Sequence, residues 1–164
     1  MTGLAWRLLA GLWHRLAGSL QWRLLWLTQA KFMVGVVGVV FDDQDRVLLL
    51  RNRFWPDGSW GLPAGYAHAG ERFEDALARE VREETGCQIE DPRLLRLVSG
   101  YRLRAEAVFS ARLLPGQPRP DGREVLAAGL FEVDALPAGL LRSHRAFVEL
   151  VARERERGPE RRPP

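Results

Sequence analysis

The sequence predicts an α+β fold, a three-layer α/β/α sandwich with helices on both sides of a mixed β-sheet, preceded by an N-terminal amphipathic helix. Three observations predict it. The run Phe32 to Phe41 is apolar and β-branched, and a second apolar run follows after a short polar break. A helical pattern lies between Glu71 and Glu84, and another closes the chain over residues 140–157. Further strand patterns lie between the two, and strands interleaved with amphipathic helices pack as layers.

Residues 1–31 form the first segment. On a helical wheel Leu8, Leu9, Leu12, Trp13, Leu16 and Leu20 share one side, with Arg7, Gly11, His14, Gly18 and Gln21 on the other. A break is expected near Gly18 and Ser19. Arg7, His14, Arg15 and Arg23 interrupt every apolar run well short of the roughly 18 residues a membrane span requires. The same charges make the segment a poor secretory signal. Trp6, Trp13, Trp22 and Trp26 with arginines and no acids suit peripheral contact with an anionic membrane surface. Packing on the domain, or on a second subunit of a homodimer, is the alternative for the same face.

The domain is expected over residues 32–152. Gly35 and Gly38 inside the first strand imply close backbone approaches. Asp42 to Asp45 make a turn, Arg46 to Arg51 return as the second strand of a hairpin, and Pro56, Asp57 and Gly58 mark a loop. Trp60 to Ala64 reads as a short strand. Phe73, Leu77 and Val81 recur every four residues, Gly70 marks the helix start and Gly86 its stop. Leu94 to Tyr101 and Ala105 to Leu114 read as strands, residues 115–122 as a surface loop, and Leu130 to Val133 as a last short strand. The closing helix buries Leu141, Phe147, Val148 and Val151, and residues 153–164 form a charged tail expected to be disordered.

Charge is unevenly spread along the 164 residues. The net charge is +3, yet residues 1–41 carry four basic and no acidic side chains, and residues 42–90 carry six basic against eleven acidic. The acidic block coincides with the helix after Gly70. There Glu80, Glu83 and Glu84 fall within about a 100° arc, at the end where the helix dipole is already negative. Like charges at this spacing each cost about 0.2–0.5 kcal/mol. Hard divalent cations held against that face turn the penalty into a gain, because Mg²⁺ takes carboxylate oxygens and leaves positions open for water and phosphate. A solvated acidic face is the bland reading of three glutamates alone. A single cysteine, Cys87, rules out an internal disulfide, and a reducing cytoplasm is the expected compartment.

The spacing over Gly65 to Cys87 is more specific than the charge. It runs Gly65, five residues, Glu71, seven residues, then Arg79, Glu80, Val81, one residue, Glu83, Glu84, one residue, Gly86. Seven fixed identities recur by chance on the order of 10⁻⁶ times in a chain of this length. This stretch resembles the signature box of the Nudix hydrolase family, with every fixed position present and Cys87 standing where an aliphatic residue is usual. The resemblance extends from about Phe32 to about Leu150 and implies the same three-layer fold.

The resemblance also implies a reaction, the Mg²⁺-dependent hydrolysis of a diphosphate linkage in a nucleoside diphosphate joined to another moiety, with Mn²⁺ as a substitute. Glu80, Glu83 and Glu84 are the expected metal ligands with the carbonyl of Ala64, and Glu80 doubles as a base. Arg79 orients Glu80; Glu71 is assigned equally to structure or to metal. A further carboxylate is expected from outside the box, with Glu124 placed before Glu106. Leu62-Pro63-Ala64-Gly65 departs from the usual Leu-Pro-Gly-Gly toward the branch acting on ADP-ribose, while the proline of that branch is missing near Leu103. No coenzyme A signature is evident upstream of the box.

Arg51, Arg53, Trp60 and Tyr66 are the expected substrate-binding side chains, with Phe54, Trp55, Tyr101, Arg102 and Arg104 as further candidates for stacking or phosphate contact. The implied partner is a small nucleoside diphosphate derivative, with no stable nucleic-acid partner. A catalytically silent domain serving as a nucleotide sensor or interaction module is the alternative, although such domains commonly lose box carboxylates and this chain keeps them all.

Overall fold

A computed structural model describes residues 3–16 and 18–156. The chain divides into two compact units, Met1–Phe32 and Met33–Pro164. In the first, α1 spans Gly3–Arg15 and α2 spans Gly18–Thr28, so the expected break occurs ahead of Gly18. The Gln21 amide donates to the Trp13 carbonyl at 2.7 Å and ties the two helices together. α1 has the amphipathic stripe read from the sequence. α2 does not: apolar residues surround it, and none of its residues is buried. No described helix is long and apolar enough to cross a membrane.

The second unit begins with β1, Met33–Phe41, and β2, Val47–Asn52. Their hairpin closes on Asp42, whose carboxylate accepts the N–H groups of Gln44 and Arg46 at 3.0 and 2.8 Å and the Arg46 guanidinium at 2.6 Å. The chain continues through β3 (Ala64–Tyr66), α3 (Phe73–Thr85), β4 (Ile89–Val98), β5 (Arg104–Leu113), β6 (Val125–Phe131) and α4 (Arg142–Glu156). The sheet order is β4-β5-β1-β2-β6, with β3 also on β1. β1 and β5 are parallel and the other pairs antiparallel, which makes the sheet mixed as expected. One edge of β1 is shared: Phe41 faces Val47 of β2, and Gly35 to Val37 face β3.

Several boundaries differ from the sequence reading, each for a local reason. The short strand expected at Trp60 to Ala64 lies later, at Ala64–Tyr66, because Pro63 has no N–H to donate; Trp60 and Gly61 make only isolated bridges. β4 starts at Ile89 rather than Leu94, with Asp91 in the left-handed region at φ 52° and a register shift between Glu90 and Arg93 absorbing Pro92. β6 starts at Val125 rather than Leu130; Ala127, Ala128 and Gly129 are weak strand formers, and pairing with Leu49 to Arg51 overrides that weakness. α4 continues to Glu156, inside the expected tail, where Arg155 reaches Asp45 at 2.5 Å and lies over the Phe41 ring. Residues 157–164 of that tail lie outside the described residues.

Two apolar clusters occupy the two faces of the sheet. α3 seals one with Ala76, Leu77 and Val81 against Val36, Val40 and Phe109, and Cys87 is buried there as a small hydrophobe. α4 seals the other with Val148 and Val151 against Val37, Val39, Phe41 and Leu62. Gly38 meets the expectation of a close approach, since a Cβ there would lie 2.7 Å from Leu77 Cδ1; at Gly35 the nearest atom would be at an ordinary 3.5 Å.

Candidate active site

Arg79 organises the approach from β3 to α3. Its guanidinium donates to the Tyr66 carbonyl at 3.0 Å, to Glu71 at 2.9 and 3.0 Å, and to Glu80 at 2.8 Å, and reaches Glu83 at 3.4 Å. Glu71 also accepts the His68 N–H at 2.8 Å. Those hydrogen bonds, Arg79 first, hold the Glu71 carboxyl down to about 2. Glu71 therefore serves as the clasp of the loop between β3 and α3. The Arg79 guanidinium is raised further above its ordinary range, chiefly by Glu71 and then Glu80.

Glu80 lies directly over β3. A Cβ on Gly65 would come within 2.0 Å of its carboxyl carbon, so only glycine admits the carboxylate at this spot. Glu84 lies deeper. It is 9% exposed, and its Oε2 has neither solvent nor a hydrogen-bond partner. Burial and then the Glu80 charge push its carboxyl up to about 8, with Glu124 and Asp121 adding to the rise and an Ala64 backbone hydrogen bond opposing it. Glu83 stands apart: its side chain is 56% exposed and turns to Arg79.

These residues fit a hard divalent cation. Among the described residues no three His, Cys, Asp or Glu side chains are gathered as a ready cage. The pair Glu80 and Glu84 nonetheless combines like charge, burial and an oxygen without a donor, an arrangement that costs free energy until a cation satisfies it. An all-oxygen donor set suits Mg²⁺ or Mn²⁺ rather than a softer metal.

Beside the pair a cavity of about 330 Å³ is bounded by β1, β3 and the start of α4 and lined by Ala64, Tyr66, Trp55, Tyr101, Arg104 and His144. Its size is that of a small-ligand pocket. Arg104 lies 4.5 Å from the centre of the Tyr101 ring and pairs with Glu106 at 3.0 Å. The Arg104 Nε is buried without a partner. His144 Nδ1 accepts the Leu62 N–H at 2.9 Å, which places the ring proton on Nε2, and burial lowers its pKa to about 4. A larger hollow of about 660 Å³, lined by Phe41, Asp45, Asp134 and Arg155, involves none of the box residues.

The expected substrate side chains divide. Tyr66 lines the cavity, as do Trp55 and Tyr101. Trp60 does not; its ring meets Phe131 edge-on at 4.8 Å within the α4-side core. Arg53 is spent on the carbonyls of Arg123 at 2.8 Å and Gly122 at 3.3 Å, and Arg51 sits within β2 opposite Ala127. Of the two outside carboxylates, Glu124 acts on Glu84, whereas Glu106 is engaged by Arg104 and Tyr101 in the cavity wall. Asp121 was not singled out from the sequence; it accepts the N–H groups of Arg123, Glu124 and Val125 and so orients the Glu124 turn. His144, also unmarked, is an isolated histidine whose partner Leu62 lies 82 positions away.

A mixed sheet between two helical layers, with a glycine-seated glutamate pair on the C-terminal half of α3, defines a Nudix-type domain. The NUDIX domain family model matches residues 31–151, and the chain belongs to that family. It is 35% identical over 127 residues to the 8-oxo-dGDP phosphatase NUDT18 of Homo sapiens, which covers 74% of this chain and 39% of that protein. Over 60 residues it is 45% identical to the NAD-capped RNA hydrolase NudC of Mycobacterium tuberculosis, covering 37% of this chain. The chain spans 19% of that relative's length. Among solved structures, the MutT NUDIX hydrolase of Burkholderia pseudomallei superposes with a TM-score of 0.65 at 31% identity, over 74% of this chain and 98% of that one. An ADP-ribose pyrophosphatase of Streptococcus suis superposes with a TM-score of 0.60 at 25% identity, over 74% and 92% of the two chains.

Proposed function

We propose that this chain is a pyrophosphohydrolase that cleaves the diphosphate linkage of a small nucleoside diphosphate derivative, using Mg²⁺ or Mn²⁺ held by Glu80 and Glu84 with Glu83 and the Ala64 carbonyl. The single observation that carries this reading is the buried, unpartnered Oε2 of Glu84 beside Glu80. When bound, the metal supplies charge neutralisation on the phosphate oxygens and lowers the pKa of water.

The chain's own residues do the rest. Arg79 anchors one Glu80 oxygen and leaves the carboxylate free to take the proton of the attacking water. The new P–O bond forms from that water as the bridging P–O bond breaks, and the leaving phosphate carries away the bond's electron pair. Trp55, Tyr66 and Tyr101 offer stacking faces for a base, and Arg104 a positive charge beside them. Glu124 adds negative charge near Glu84 and is the outside carboxylate of this reading. The compartment is a reducing cytoplasm, in keeping with one buried thiol.

ADP-ribose leads the candidate substrates, on the Pro63-Ala64-Gly65 sequence and the likeness to the Streptococcus suis enzyme. The test is a panel of ADP-ribose, dinucleotides, nucleotide sugars and oxidised nucleoside di- and triphosphates with each metal. Turnover of at least one is expected, and Glu84→Gln should lower it by at least about 100-fold while melting no earlier than the parent at pH 8. Inactivity across the whole panel, or equal turnover by mutant and parent, rejects the assignment.

A further inference from the structure

We propose that the helix pair α1 and α2 is a docking element for the surface of an anionic phospholipid bilayer. This rests on the N-terminal unit itself and is independent of the hydrolase reading. Within that unit the apolar residues are not covered: Trp6 is 64% exposed, Leu8 67%, Trp22 74% and Leu27 68%. α1 gathers its share on one stripe of about 160°, from Leu8 and Leu12 round to Trp13 and Trp6, with Arg7, Gly11 and His14 opposite. α2 is apolar around its circumference and buries nothing. An uncovered apolar area of this extent is unusual on a soluble surface and calls for an occupant.

Charge identifies the occupant. Residues 1–41 carry Arg7, Arg15, Arg23 and Lys31 and no acidic side chain. A second copy of the unit would set four positive charges against four, with no carboxylate to offset them. An anionic bilayer supplies both missing partners, an apolar layer for the stripe and phosphate or carboxylate groups for the bases. The tryptophans suit the same boundary, since an indole places an apolar body beside one N–H donor; Trp26 already carries Lys31 at 4.6 Å over its ring. Helices of 13 and 11 residues extend only about 20 and 16 Å, short of the roughly 30 Å hydrocarbon core, so the pair lies on the surface rather than crossing it. The Gln21 to Trp13 hydrogen bond joins the two into one element.

The experiment is co-sedimentation of the full chain with phosphatidylcholine vesicles, with and without 30% phosphatidylglycerol, followed also by tryptophan emission. Binding with a blue shift is expected on the anionic vesicles, with little on the neutral ones and a marked loss in high salt. The double variant Arg7→Gln with Arg15→Gln should bind about thirtyfold more weakly, from the usual strength of a basic residue at such a surface. Leu8→Glu with Leu12→Glu should abolish binding. All four positions are outside the folded domain's core, so its melting temperature serves as the folding control. Failure to bind anionic vesicles, or equal binding by parent and variants, overturns the proposal. So does a concentration-dependent dimer, formed without lipid, that Leu8→Glu with Leu12→Glu disperses.

Discussion

A methyl group added to Gly65 would lie 2.0 Å from Glu80 Cδ and 2.1 Å from its Oε1. The atoms it meets are the free end of a flexible side chain, and Gly65 is outside the left-handed region, so the backbone tolerates alanine. Glu80 would yield instead and leave Arg79. Gly65→Ala should therefore cut hydrolysis by at least about 100-fold while shifting the melting temperature by no more than a few degrees. A variant with parental turnover would show that Glu80 acts elsewhere. The acidic cluster of the candidate site is legible in the sequence because it is local. Arg79, Glu80, Glu83 and Glu84 lie within two turns of one helix, and Glu84 continues the spacing of Leu77 and Val81 into the core. The cavity was less legible. Nothing in an amphipathic helix marks His144 until its ring meets the Leu62 N–H, and no pattern in the sequence separates Trp55, which meets His144, from Trp60, which meets Phe131.

The contact between β1 and α3 turns on Gly38, where a Cβ would lie 2.7 Å from Leu77 Cδ1 and 3.2 Å from Cδ2. Both atoms are in a fully buried side chain, so the helix must shift or Leu77 must leave its rotamer. Gly38→Ala should cost about 1–3 kcal/mol and lower the melting temperature by several degrees. Pairing it with Leu77→Ala should restore part of the loss, and strictly additive losses would refute the contact. Elements with strong periodicity and a cap were readable in advance: the β1–β2 hairpin, α4, and α3 with its stop at Gly86, φ 71°. β3, β4 and β6 were displaced because sheet partners, rather than residue propensities, decide where a short strand begins. The shared edge of β1 is also a tertiary outcome that no pattern in Met33–Phe41 announces.

For the molecule as a whole, two buried groups set opposite limits on stability. His144 titrates near 6.5 when unfolded and about 4 when folded, so the unfolded chain takes up more protons and stability falls as pH drops through that interval. Glu84 runs the other way. Its carboxyl moves from 4.5 to about 8 on folding, so without divalent metal stability falls as pH rises through that interval. The two slopes oppose each other between pH 4.5 and 6.5, so melting temperature in chelator should be nearly flat there and fall above it with Glu84 and below it with His144 and Glu71. His144→Gln should move the maximum down towards pH 4.5, and Glu84→Gln should remove the fall above pH 6.5. A profile unchanged by both substitutions would contradict the burial of these groups. The parallel pairing of β1 with β5 carries a different consequence. Arg104 faces Met33 and Arg112 faces Phe41, so this seam waits for roughly 70 residues to be synthesised after its first strand. Until the second half arrives, a nascent chain carries its most apolar strand without a neighbour on that side, an open edge of the kind that invites aggregation.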